Sequence, residues 1–342
     1  MQLTTHPEDE KNPHWSPDGK SIVFRRSART SHIFVGDPET LASRQLTHGA
    51  AVDSYPVVSP DGEWVAFARQ ERGIAQRSSP PVLCVVAVSD LESDSKVQRL
   101  EIPDLTISLE SICWSPDASQ LAFAADDGTG NVDIYRVDIE GGKPARVTIT
   151  PGLDTGPSWS PDGRTIAYSR LADGETQIWT ISATGGIPQQ LTEHAGVNEV
   201  PVWADDSDHV AYVSLNPDWE FEVWVTSVSD RASGRRILEA GEYNIPRAWS
   251  KDGSEVLVRQ RMDDRTVLSA IPLDGTKIHK VAERGKDEAE HFWLLKKHGE
   301  KYRDQVYPGG VMAFADGEEV SNIVTLRVPD LTEALHADGD WN

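Results

Sequence analysis

The chain has 342 residues, 38% of them hydrophobic and 26% charged, which is the profile of a globular protein able to bury a sizeable core. Its formal net charge of −22 repels nucleic acid and anionic lipid, and no run of apolar residues is long enough for a membrane-spanning helix. Two cysteines, Cys84 and Cys113, are too few for a disulfide framework. They are either two reduced core thiols or one bridge between neighbouring repeats.

The N-terminal "MQLTTHPEDE" has no basic stretch leading into an apolar one. The expected location is therefore cytoplasmic, or periplasmic or secreted if a signal has been removed. "MQLTT" itself reads as a short strand. From residue 14 the chain writes a sentence that it then repeats: "HWSPDGKSIVF", "VVSPDGEWVAF", "CWSPDASQLAF", "SWSPDGRTIAY", "VWADDSDHVAY" and "AWSKDGSEVLV". Length alone suggests two domains, but a repeat of this period is the signature of propeller blades. Each unit runs in the same order: a segment ending in Trp, a Pro-Asp-Gly turn, an alternating apolar run such as "TIAYSR", a loop, a run such as "QIWTISA", and a closing "PQQLT". That order predicts four short antiparallel strands per unit, over 12–49, 54–103, 111–150, 156–194, 200–240 and 245–284.

A seventh unit is read at 290–329. "AEHFWLL" lacks the turn yet keeps the register, because Trp293 follows Val281 at the spacing by which Trp249 follows Leu238 and Trp203 follows Leu191, within a residue. Its next strands are "VMAFADG" and "NIVTLRV", after an insertion at 296–310. This unit lacks an outer strand, and the N-terminal strand 1–6 fits the place, closing the ring and removing open edges. The expected fold is all-β: one seven-bladed β-propeller of four-stranded blades over 1–329, with an acidic tail at 330–342. A six-bladed ring is the alternative, and it leaves 286–328 unexplained.

In the repeated turn, Pro17, Pro60, Pro116 and Pro161 preset φ. Asp18, Asp61, Asp117 and Asp162 bond the backbone two residues on, and Gly19, Gly62 and Gly163 supply positive φ. These aspartates are expected to be structural, since an active site does not need one carboxylate per turn.

The pattern P-x-W-S-P-D-G-x-x-I-A-[FY] followed by Q-L-T resembles the TolB-type propeller family over nearly the whole chain. The resemblance implies the fold more than a function, because that family includes a periplasmic scaffold, prolyl-oligopeptidase-type propellers and an oligogalacturonate lyase. The scaffold's extra N-terminal domain is absent from this sequence, and no G-x-S-x-G nucleophile elbow follows the repeats.

Function is expected on the loops that enter the innermost strands and on those between the two middle strands, around a channel mouth. His14 and His291 break the repeat and are placed at that mouth, with His6 and Glu290 on the same face. Imidazoles with a carboxylate suit a divalent cation such as Mn, Zn or Ca, and "EHFW" is similar to a metal-binding segment of the oligogalacturonate lyases. Arg26, Arg69 and Arg170 share one register, with Arg259 one place earlier. They suit an anionic ligand, or else pair with acidic neighbours. Tyr55, Trp219 and Tyr243 are read as loop aromatics that stack on a carbohydrate or anchor a protein. The leading expectation is a monomeric, non-enzymatic propeller binding a protein or small ligand. The alternative is a metal-assisted lyase acting on short uronides, whose catalytic base the sequence does not identify.

Overall fold

The structure is a computed structural model describing residues 8–27, 30–71, 80–89, 96–241, 243–262, 265–284, 305–307, 311–316 and 322–327. The N-terminal strand 1–6, the inner strand read at 290–295 and the tail 330–342 lie outside the described residues.

Each of the six clear repeats forms four antiparallel strands. The first sheet is β1 (Asp9–Trp15), β2 (Ile22–Ser27), β3 (Ser31–Gly36) and β4 (Ser43–Gln45); the second is β5 (Val52–Val58), β6 (Trp64–Gln70), β7 (Val82–Ala87) and β8 (Gln98–Arg99). The third is β9 (Thr106–Trp114), β10 (Gln120–Asp126), β11 (Val132–Asp138) and β12 (Ala145–Arg146); the fourth is β13 (Leu153–Trp159), β14 (Thr165–Ala172), β15 (Glu175–Ser182) and β16 (Gln189–Gln190). The fifth is β17 (Val197–Trp203), β18 (His209–Leu215), β19 (Phe221–Ser227) and β20 (Arg235–Gly241); the sixth is β21 (Tyr243–Trp249), β22 (Glu255–Met262), β23 (Arg265–Pro272) and β24 (His279–Arg284). A last, three-stranded sheet contains β25 (Gln305–Tyr307), β26 (Val311–Asp316) and β27 (Asn322–Arg327), and it lies beside β1. Here the structure differs from the expected insertion at 296–310. Residues 305–307 extend and pair with β26, because "QVY" is itself a short strand-forming run.

The repeated turn works through its serine as much as its aspartate. Ser160 Oγ donates to Asp162 Oδ1 (2.7 Å) and accepts the Thr165 N–H (3.0 Å), while Asp162 Oδ1 accepts the Arg164 N–H (3.0 Å). The same pattern recurs at Ser16/Asp18, Ser59/Asp61, Ser115/Asp117 and Ser250/Asp252. In the fifth sheet Ala204 has no hydroxyl. Asp206 compensates by taking the N–H groups of Asp208 and His209, together with the His209 imidazole at 2.6 Å.

The core lies in the seams between consecutive sheets. Phe24, Phe67, Phe123, Tyr168 and Tyr212, one from each of the first five second strands, are fully buried. Burying each large apolar side chain contributes roughly 1.5–3 kcal/mol. Tryptophan at the end of a first strand staples neighbouring sheets. The indole N–H of Trp114 reaches the Val57 carbonyl (2.9 Å), that of Trp203 the Ser158 carbonyl (2.9 Å) and that of Trp249 the Val202 carbonyl (3.0 Å). Trp159 instead bonds its own turn at Gly163. The closing threonine of the Q-L-T segment is equally structural: Thr47, Thr148 and Thr192 each accept an N–H from the third strand of their sheet. Neither Cys84 nor Cys113 is in a disulfide; Cys84 is buried, which pushes its thiol up to about 12.

Candidate functional site

The sheets have two ends. One carries the Ser-Pro-Asp-Gly turns. The other, the loop side, gathers the starts of the first strands and the ends of the second strands. The arginine and aromatic candidates lie on or near the loop side, and the strand register decides what they do there.

The arginines lie directly across from acidic residues. Glu10 is the cross-strand partner of Arg26, Asp53 of Arg69 and Asp154 of Arg170. Arg69 grips Asp53 through two bonds of 2.7 and 2.8 Å, and Arg170 holds Asp154 with the same two distances. Arg26 Nε donates to Glu10 at 2.7 Å. The carboxylates of Glu10, Asp53 and Asp154 are fully buried, and the guanidinium groups of Arg69 and Arg170 nearly so. Burial pulls Asp53 upward, but hydrogen bonds from Arg69 and His32 outweigh it and hold the carboxyl below its ordinary value. Arg170 also lies over the rings of Tyr168 and Trp179. The forks that an anionic ligand would need at Arg69 and Arg170 are thus engaged within the fold.

The same register position balances charge in every clear repeat. Where the arginine is replaced by Ser214 or Gln260, the opposing residue is the neutral amide Asn198 or Asn244. Where it is Ala125, the opposing residue is Ile107. Asn198 donates to Gln177 and to the His194 carbonyl; Asn244 donates to the Phe221 and Glu239 carbonyls. Arg259, one place off this register, is buried, bonds the Tyr243 hydroxyl and lies over its ring at 4.9 Å. Each acidic partner precedes its arginine by sixteen residues, an offset that marks it only once the strand register is known.

The aromatics divide. Tyr55 and Tyr243, expected in loops, lie in strands β5 and β21. Tyr55 sits in a β-bulge with φ +53°, and Asn12, Gly156 and Val200 take left-handed φ at the matching bulge of their first strands. An alternating sequence pattern does not announce an extra residue of this kind. Trp219 is in a loop as expected and is 71% exposed. Its turn is built from inside: Asn216 Oδ1 accepts the N–H groups of Asp218 and Glu220, both at 3.0 Å, and its carbonyl accepts the Trp219 N–H at 2.9 Å. With φ at +61°, the backbone of Trp219 is held in a conformation that non-glycine residues seldom adopt.

Of the four metal candidates, His14 alone is described. It lies half-buried near the end of β1, opposite Val23, with Nδ1 facing the Trp15 carbonyl at 3.1 Å. The first strand runs from the loop side toward the turn, so His14 stands at the turn end of β1 and not at the loop side where its place before Trp15 had suggested. His6, Glu290 and His291 lie outside the described residues. Among the described residues no three His, Cys, Asp or Glu side chains converge to hold an ion.

Four-stranded antiparallel sheets repeated in this order, stapled by tryptophan and closed by a Q-L-T strand, define an all-β propeller-type protein. The model of the TolB beta propeller domain, PD40, matches residues 81–294, more than half of the chain, and the chain belongs to that family. An uncharacterized protein of Agrobacterium fabrum, Atu1656, is 29% identical over 175 residues, covering 50% of this chain and 54% of that protein. The Tol-Pal system protein TolB of Francisella tularensis subsp. mediasiatica is 33% identical over 82 residues, covering 24% of this chain and 18% of that protein. The chain therefore spans about half the length of the first relative and under a fifth of the second. Among solved structures, an oligogalacturonate lyase in complex with manganese superposes with a TM-score of 0.73 at 16% identity, over 96% of this chain and 93% of that one. Identity at that level shows the fold alone. No helix of the described residues is long and apolar enough to cross a membrane.

Proposed function

We propose that the protein is a non-enzymatic propeller that presents its loop side to a protein partner or small ligand. The observation that carries this reading is the contrast between Arg69 and Arg170, which are locked to buried aspartates, and Trp219, which is held out into solvent by a self-bonded turn. Exposed, preorganised aromatics are what binding surfaces anchor on. The reading includes seven blades over 1–329 closed by residues 1–6. It is supported by the sheet β25–β27 lying beside β1 while β25 approaches β21. The test places a photo-crosslinking amino acid at position 219 and, as a control, at exposed Ile187 on the turn side. A discrete adduct from 219 alone is expected in cells that express the protein. Equal adducts from both positions, or none, would overturn the reading.

A second reading, a manganese-assisted lyase on short uronides, is favoured by the whole-chain likeness to the lyase structure. His14, with His6, His291 and Glu290, would hold the ion, which would stabilise the charge that develops on the uronate carboxylate. The reading is weakened by the internal pairing of Arg69 and Arg170 and by the place of His14 at the turn end of its strand. Manganese-dependent absorbance growth at 235 nm on oligogalacturonides, abolished by chelator, would put this reading first; a flat trace supports the binding reading.

A further inference from the structure

The loop side of this acidic chain exposes three aliphatic side chains where the third and fourth sheets meet. Ile149 is 71% exposed, and Leu153 and Leu171 are each 38% exposed. Leu153 and Leu171 are neighbours by register: Leu153 pairs with Leu171 across β13 and β14, and with Val132 of the preceding sheet. In the next seam an aliphatic pair recurs at the same register, but the residue matching Ile149 is charged. Glu193 lies two residues after Leu191, just as Ile149 lies two after Val147, and the paired Val197 and Leu215 are only half-exposed. The repeat therefore accounts for the leucine pair but not for Ile149.

The edge is rigid. The Gly152 N–H donates to Asn131 Oδ1 at 3.0 Å, and a side chain at Gly152 would meet the Leu171 carbonyl at 3.0 Å, so the loop presses onto β14. Acidic residues flank it by register. Asp126 is the partner of Val132 on one side, and Glu175 is the partner of Ala172 on the other, with Asp127 and Asp173 beside them in the hairpin loops. The nearby basic side chains are already engaged: Arg146 by Asp127 and Asp133, and Arg170 by Asp154.

We infer that this edge docks a short, extended, basic segment of a partner protein, its aliphatic side chains packing on Ile149, Leu153 and Leu171 and its cations facing the surrounding carboxylates. The inference rests on the reading of the loop side as the binding side. Charge complementarity selects the occupant: a surface of this sign repels nucleic acid, anionic lipid and a second copy of the chain. The small area suits a segment rather than a globular face.

The probe is a fluorescein-labelled peptide of alternating lysine and leucine, compared with glutamate–leucine and lysine–serine peptides by fluorescence anisotropy. Variants are Leu153→Ser and Leu171→Ser, with Ile187→Ser on the turn side and Trp219→Ala as controls, each checked by its melting curve. The expected result is binding of the lysine–leucine peptide alone, weakened about tenfold by either leucine substitution and by added salt, and unchanged by Ile187→Ser. Equal binding of the glutamate–leucine peptide would overturn the inference, as would self-association that Leu153→Ser abolishes. Binding lost in Trp219→Ala but unchanged in both leucine variants would overturn it while leaving the loop-side reading intact. Binding lost only in Ile187→Ser would overturn both.

Discussion

The turn side and the loop side of the sheets repeat in different ways. On the turn side the residues themselves recur: a serine hydroxyl, an aspartate and a left-handed residue form the same bonds at Asp18, Asp117, Asp162 and Asp252. On the loop side the residues change while the balance between them is kept: acid faces arginine, amide faces serine or glutamine, and isoleucine faces alanine. The difference teaches that a recurring residue and a recurring relation are both marks of structure. A functional residue is better sought where neither holds, as at Trp219 and Ile149.

The sharpest way to break this comparison is to remove one half of a loop-side pair. Arg170→Ala leaves the Asp154 carboxylate buried without its partner, and should destabilise by about 3–5 kcal/mol. Replacing both residues, Arg170→Met with Asp154→Leu, should recover most of that loss, because no charge is then stranded. Urea unfolding of the three proteins measures it. A small loss in the single variant would mean that Arg170 is not held by the fold, and would return it to the list of ligand-binding residues.

The fold was legible in the sequence because the turn side is written in nearly identical letters. The Trp, Pro-Asp-Gly and Q-L-T positions set the strand order of all six clear sheets. The loop side was harder to read. The arginine register was visible, but its acidic partners lie sixteen residues earlier and change identity from sheet to sheet. Tyr55 lies in a strand and not in a loop for a different reason: a bulge inserts a left-handed residue into an otherwise regular strand, and nothing in an alternating pattern marks it. His14 stands at the turn end of its strand, and a position next to a conspicuous Trp says nothing of the direction in which that strand runs. The exposure of Ile149, Leu153 and Leu171 depends on which strands meet at a seam, which only the folded chain decides.

A smaller effect is expected on the turn side. Asp162→Ala removes the acceptor for Ser160 and for the Arg164 N–H, and should cost about 0.5–2 kcal/mol without altering any binding activity. The Ser160 hydrogen bond, followed by that of Arg164, holds this carboxyl below its ordinary value. A group lowered in the folded state stabilises above its unfolded pKa, near 4, and the contribution is lost as pH falls through the lowered value. The difference between parent and variant should therefore be constant from about pH 5 to 8 and shrink below about pH 4. A difference that persists unchanged in acid would show that the carboxylate is not what holds the turn.

The smallest effects test the seams. Tyr168 and Tyr212 are matching residues of the fourth and fifth sheets, both buried, yet their hydroxyls differ in what they meet. The Tyr212 hydroxyl bonds His194 Nε2 at 2.9 Å, and that imidazole stacks on Trp224 with ring centroids 4.1 Å apart. The position matching His194 in the preceding seam is Thr150, three residues after Val147 as His194 is three after Leu191. Threonine is too short to play the imidazole's part. The Thr150 and Tyr168 hydroxyls are both buried, and neither makes a well-formed hydrogen bond, although Tyr168 lies beside Arg170. Where the second strand carries phenylalanine instead, at Phe67 and Phe123, the matching residues are Gly49 and Pro103, which offer no side-chain partner to a ring that has no hydroxyl. Removing the hydroxyl should therefore have opposite consequences in the two seams. Tyr212→Phe should destabilise by about 0.5–1.5 kcal/mol, the net value of one hydrogen bond. Tyr168→Phe should be neutral or slightly stabilising, since it removes a buried polar group that has no well-formed bond to lose. Equal losses in the two variants, measured by urea unfolding at the same pH, would show that the Tyr168 hydroxyl is satisfied in solution and that the two seams are alike.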